Sequence, residues 1–128
     1  MRTYQLAVDR DREEALIFCD TFADFDQDPK ALFIAKDESG IIAVLGADWT
    51  GRQVQVGPML LTPGNENKRW AILRLFEHVE DFLARAGVDG YVFSVAEDNP
   101  LRYIVERSVA TPYAAQDGLI WYSRKVKL

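Results

Sequence analysis

Side chains able to do chemistry are sparse in this chain. Its 128 residues include one cysteine, Cys19, and one histidine, His78. Cys19 lies between Phe18 and Phe22 in a helical pattern and reads as core packing rather than as a nucleophile. A lone cysteine forms no internal disulfide, which points to a reducing compartment, the cytoplasm. His78 falls on the polar side of a helical stripe and reads as solvated surface rather than a catalytic base. One histidine and one cysteine supply no zinc ligand set. Carboxylates and backbone groups remain. The backbone signal is Gly57-Pro58, which interrupts an otherwise strand-like run from Gln53 to Thr62. Proline has no N–H to give to a ladder, so the run carries a bulge or stops pairing there.

The elements around that break follow from periodicity. Thr3 to Val8 alternates, with Tyr4, Leu6 and Val8 on one face, and predicts a short strand. Asp11-x-x-Glu14 reads as a capping box opening a helix, with Ala15, Phe18, Cys19, Phe22 and Phe25 along its apolar stripe. The acidic stretch Asp24, Asp26, Asp28 and Pro29 ends it as a solvated loop. Ala31 to Lys36 and Ile41 to Asp48 form a hairpin across the turn cluster Asp37 to Gly40. Lys68 to Ala86 is the clearest helix, with Ile72, Leu75, Phe76, Val79, Phe82, Leu83 and Ala86 on one stripe and Gly87 as its C-terminal cap. Arg74, His78, Asp81 and Arg85 take the other face. Tyr91 to Ala96 is a strand, Pro100 to Ser108 a short helix, and Thr111 to Ala115 with Leu119 to Val126 a hairpin across Asp117-Gly118. The order β-α-β-β-β-α-β-α-β-β predicts a mixed central sheet with helices on its faces, in one domain spanning residues 1–128.

Composition bounds the partners. The chain is 48% hydrophobic and 27% charged, with a net charge of −5, as expected of a globular domain with a real core. Residues 1–40 carry ten acids against five bases, and residues 41–128 carry ten of each. Without a lysine and arginine cluster, nucleic acid is not an expected partner. No apolar window is long enough to span a membrane, and no secretory leader is seen. A basic or amine-bearing partner suits the charge, and a homodimer stays open.

This element order resembles the GNAT acyltransferase superfamily over nearly the whole chain. The segment Val54-Gln55-Val56-Gly57-Pro58-Met59-Leu60-Leu61-Thr62-Pro63 leads into the long helix, and Asn99 precedes the short one. The resemblance implies a slot in which backbone groups of Met59, Leu60 and Leu61 hold the thioester and pantetheine of acetyl-CoA. It further implies a pyrophosphate loop of the form V-x-P-x-x-(R/Q)-x-x-G-x-(G/A) before the long helix. Leu61-Thr62-Pro63 matches its start and Ala71 its last small position. Glu66 stands where Arg or Gln is expected, and Arg69 replaces the first glycine. A carboxylate there repels pyrophosphate unless it turns away. Lys68 and Arg69 are either compensating phosphate ligands or ordinary first-turn surface residues.

A closer resemblance is to small divergent GNAT proteins of tailed bacteriophages. In these a D-x-W-T segment precedes an S-V-Q-M-H-like strand, and an R-W pair opens the long helix. The corresponding places here read Asp48-Trp49-Thr50, Val54-Gln55-Val56-Gly57 and Arg69-Trp70. Gly57 occupies the histidine position, so no catalytic histidine carries over. The ending N-x-x-A…G-F is reduced to Asn99-Pro100-Leu101-Arg102 with Ala110-Thr111. If phage-encoded, the protein belongs to the host cytoplasm or the virion.

The activity implied is acyl transfer from acetyl-CoA to an amine on a small molecule or a protein. It needs a base for the amine, a polarised thioester and an acid for the thiolate. Asp48 and Glu97 are the candidate bases, with solvated strand-end residues as the alternative. The resemblance places a tyrosine acid at Glu106. Tyr103, one turn earlier, is the substitute, with packing as its alternative. Asn99 either bonds pantetheine or caps the short helix. Trp49, Trp70 and Trp121 are core or interface aromatics first and acceptor-site walls second. Two functional classes follow: an acetyl-CoA-dependent N-acetyltransferase, or a non-catalytic GNAT-like binding or virion-associated protein. A small α+β domain outside the superfamily is the remaining alternative.

Overall fold

The computed structural model describes residues 2–22, 30–50 and 53–127. The expected Asp24 to Pro29 loop and Phe25 lie outside them. The elements are β1 (Thr3–Leu6), α1 (Asp9–Phe22), β2 (Ala31–Asp37), β3 (Gly40–Thr50), β4 (Gln53–Leu61), α2 (Trp70–Arg85), β5 (Gly90–Ala96), α3 (Leu101–Ser108), β6 (Pro112–Gln116) and β7 (Leu119–Lys125). Their order is the one the periodicity predicts. The strands form one sheet in the order β1-β2-β3-β4-β5-β7-β6. Only β4 and β5 run parallel, and the other neighbours pair antiparallel. The mixed sheet with helices on its faces is therefore observed.

Strand alternation sorts the core into two layers. Phe33, Leu45, Val56, Phe93 and Tyr122 pack with Ile72, Leu75, Phe76 and Val79 of α2 and Val105 of α3. Leu32, Ile34, Val44 and Leu60 point to the other face, against Ala15 and Cys19 of α1. The α2 stripe is buried as expected at Ile72, Leu75, Phe76, Val79 and Leu83. Phe82 and Ala86, at the end of the helix where it runs past the sheet, are exposed. The helix ends where Gly87 adopts φ 76. There Val88 N–H returns to Leu83 O at 2.9 Å and Gly87 N–H to Ala84 O at 3.1 Å, a glycine-capped helix end.

Three local readings need correction. The first helix starts at Asp9 rather than behind an Asp11 cap. Asp11 instead receives Lys36 Nζ at 2.9 Å and Gln5 Nε2 at 3.1 Å. The first strand stops short of Val8, and the face expected to carry Tyr4, Leu6 and Val8 is open at its end: Leu6 and Val8 are 39% and 55% exposed, while Ala7 is buried. The strand ends at Leu6 on the sheet edge, and the chain turns away into α1. His78 is half-buried rather than solvated, with its ring edge-on to Phe33 at 5.6 Å. A helical stripe considers α2 alone, whereas Phe33 reaches up to His78 from β2.

A polar clasp ties α2 to the far strands. Glu80 accepts the Tyr91 hydroxyl at 2.8 Å and the Arg124 guanidinium, which also donates to Val109 O. Burial, and then the bond to Glu80, push the Tyr91 phenol well above its usual range.

Candidate functional site

The break in β4 is a bulge that coincides with the place where two strands part. Between the rungs Leu45↔Met59 and Ala47↔Val56, β4 spends one residue more than β3, so Gly57-Pro58 lies opposite Gly46. Gly57 has φ 148, and its peptide bond to Pro58 is cis. The extra residue shifts the alternation, so Val54 and Val56 before it and Met59 and Leu61 after it all face the α2 layer. Pairing between β4 and β5 consists of Gln55↔Val92 and Val56↔Phe93. Beyond those rungs the two strands share no further pairing, and Gly57–Leu61 and Ser94–Ala96 flank the slot between them.

Ladder alternation decides which backbone groups face that slot. Thr62 N–H donates to Ile42 O at 3.0 Å. Two residues back, Leu60 and Val44 form the next hydrogen-bonded pair. Met59 and Leu61 between them turn their N–H and C=O groups away from β3, into the slot. Of the three expected amide donors, the ladder leaves Met59 and Leu61 and commits Leu60 to Val44, with its side chain beneath α1.

The loop from β4 to α2 begins as a turn legible in Thr62-Pro63-Gly64-Asn65. Gly64 takes φ 86, and Asn65 N–H reaches Thr62 O at 3.0 Å. Thr62 is buried and donates its hydroxyl to Ile41 O at 2.8 Å, while Asn65 Nδ2 donates back to it at 2.9 Å. The Glu66 carboxylate turns back to accept Gly64 N–H at 3.2 Å. Lys68 is tied at 3.1 Å to Asp37, whose carboxyl Ser39 and then Lys68 hold down at about 2. Arg69 is exposed at the N-cap of α2, which has no side-chain cap and no acid in its first turn. That end carries the positive pole of the helix. Ala71 is buried, and its N–H is spent on Lys68 O at 3.0 Å. Arg2, absent from the sequence reading, lays its guanidinium 4.2 Å from the Trp70 ring centre. Pairing of β1 with β2 brings it there, and no local motif announces it.

The two candidate bases are separated. Asp48 is half-buried in a row across the sheet, Asp48↔Gln55↔Val92↔Ser123, on the α1 face. Its Oδ1 accepts Trp49 N–H at 2.9 Å. It sits one residue from Ala47, the partner of Val56, and so beside the start of the slot. Glu97 is exposed just past β5, with its N–H on Gly118 O at 2.9 Å. At the start of α3, Asn99 Oδ1 caps Leu101 N–H at 2.9 Å. Tyr103 is 65% exposed, on the side of α3 opposite Leu101 and Val105, so packing is not its role. Glu106 accepts the Tyr122 hydroxyl at 2.8 Å, and burial with this bond pushes that phenol up to about 12. Arg102 donates to Glu97 O at 2.9 Å, and its Nε is buried without a hydrogen-bond partner.

Comparison with known proteins gives the fold a class. No known family profile matches the chain, and no curated protein matches its sequence. Solved structures do match. The ribosomal-protein-S18-alanine N-acetyltransferase of Escherichia coli superposes with a TM-score of 0.75 at 14% identity, covering 100% of this chain and 96% of that one. Ard1 of Thermoplasma volcanium gives 0.77 at 9% identity, covering 99% of each. The PaiA N-acetyltransferase of Thermoplasma acidophilum, solved in complex with coenzyme A, gives 0.65 at 12% identity over 88% of this chain and 67% of that one. The fold is that of the GNAT acetyltransferases. Among the described residues, no helix is long and apolar enough to cross a membrane.

Proposed function

We propose that this chain is an acetyl-CoA-dependent N-acetyltransferase acting on an amine of a small molecule or a protein. The observation that carries the reading is the separation of β4 from β5 beyond Val56↔Phe93, which frees Met59 and Leu61 backbone groups on an open strand edge. Such an edge fits an extended amide-bearing arm, as a further strand would. Acetyl-CoA, when bound, supplies an acetyl group activated as a thioester. Met59 and Leu61 hold the arm and polarise the thioester carbonyl. The uncapped start of α2, with Arg69 and Arg2 beside it, receives the pyrophosphate, and Asn99 offers its Nδ2 from the far wall. Asp48, on the α1 face, takes the amine proton directly or through water, with Glu97 as the second candidate. The departing CoA thiolate takes its proton from the exposed Tyr103 hydroxyl or from water.

The other reading, a GNAT-like binding protein without catalysis, is favoured by two observations in the loop. Glu66 occupies the Gly64 amide, and Lys68 is neutralised by Asp37. An assay of CoA thiol release against a panel of amines and amino-terminal peptides separates the two. Amine-dependent release, reduced about 100-fold in Asp48→Asn, supports the transferase. CoA binding without turnover on any acceptor supports the binding protein.

A further inference from the structure

The C-terminal end of α2 carries a cavity remote from the slot. The 16 residues of α2 put it about 24 Å along the helix from Trp70. It encloses about 440 Å³, within the range of small-molecule sites. Its walls include Trp49 and Val54 from β3 and β4, Phe82 and Leu83 from α2, and Val88 and Asp89 beyond the helix. Trp49 and Phe82 are each 36% exposed, a large aromatic area left open to solvent.

Charge points to one kind of occupant. Among the described residues Asp89 is the only charged one in the lining, and its carboxylate has no hydrogen-bond or ion-pair partner among them. The carbonyl end of α2 adds negative partial charge. The indole of Trp49 already receives a cation within the molecule, because Lys30 Nζ lies 5.3 Å from its ring centre. Lys30 does so from an adjoining cavity that shares Trp49 and Phe82, and it does not line this one. We propose that the cavity binds a small organic cation with a flat apolar body, of the aryl-alkylammonium class. Asp89 pairs with the ammonium, and Trp49 with Phe82 clasps the body. This site is independent of acetyl transfer.

Titration with 2-phenylethylammonium and with its neutral counterpart 2-phenylethanol, followed by 1H–15N NMR, tests the proposal. Saturable shifts of the Trp49 indole and the Gly87 and Val88 amides are expected for the cation. The alcohol binds about tenfold more weakly, and Asp89→Asn loses about tenfold for the cation. Asp89 is exposed, so the variant keeps the fold, which the spectrum itself reports. Equal affinity for the two probes, an unchanged affinity in Asp89→Asn, shifts centred on Met59 to Leu61, or no saturation by about 10 mM overturns the proposal.

Discussion

Val56 of β4 and Phe93 of β5 form the last rung between the two parallel strands, and Gly57, with φ 148, follows at once. A Cβ added at Gly57 meets no atom within 4 Å. The opening therefore begins at a residue without a side chain, next to one without an N–H.

Asn99 separates capping from ligand binding. Its Oδ1 is spent on Leu101 N–H, and its Nδ2 is the group offered to pantetheine. Asn99→Asp keeps the cap and loses the donor. Thermal unfolding should show Asn99→Ala losing about 1 kcal/mol and Asn99→Asp almost nothing, while both weaken CoA several-fold. Full affinity in Asn99→Asp would assign the residue to capping alone.

Glu66 is the loop residue set against a phosphate. Two phosphate charges about 6 Å away in water repel a carboxylate by about 1.4 kcal/mol. Isothermal titration of Glu66→Gln at low salt should show CoA bound about tenfold more tightly, with the gain shrinking as salt rises. An unchanged affinity would mean that pyrophosphate does not visit the loop.

Much of this geometry was readable beforehand because it depends on local chemistry. Gly57-Pro58 announces a bulge through a missing N–H, and Gly87 and Asp117-Gly118 announce their ends through positive φ, observed at 76, 55 and 77. The α2 stripe needed only a period of 3.6. What escaped was set by topology. Glu80 and Arg124 are 44 residues apart, Lys68 and Asp37 are 31 apart, and Arg2 meets Trp70 only because β1 joins the sheet edge. Asp11 looked like a cap because the reading followed spacing along the chain, whereas Lys36 reaches it from β2. The slot lay between these cases. Its break was legible in β4, but which amides it frees required the register with β3 and β5.

Removing the clasp should loosen the molecule without touching the slot. Glu80→Ala leaves the Arg124 guanidinium and the Tyr91 hydroxyl without their acceptor. The cost is about 2 kcal/mol, below that of a deeply buried pair, because Arg124 is 38% exposed. For a chain of this length that lowers Tm by about 8 °C, and Tyr91→Phe should cost about half as much. A loss under about 2 °C in Glu80→Ala would mean the clasp is ornamental.

Asp37 gives the fold an acid-sensitive contact. Ser39 and Lys68 hold its carboxyl at about 2 in the folded state, below the unfolded value of about 3.9. A lowered folded value stabilises above the unfolded pKa and is lost as pH falls through the folded one. Tm measured between about pH 5 and 2 should fall more steeply for the native chain than for Asp37→Asn, with the two curves converging toward pH 2. Parallel curves would contradict the assignment.

The most direct test of the slot is thermal unfolding across a series of acetyl-CoA and CoA concentrations. At about one hundred times Kd a ligand specific for the folded state adds roughly 2.7 kcal/mol, which raises Tm by several degrees here. The account predicts a saturable rise with both ligands, lost when a bulky side chain replaces Gly57 in a variant that still unfolds cooperatively. No rise at millimolar ligand would contradict it and leave the opening between β4 and β5 without its proposed occupant.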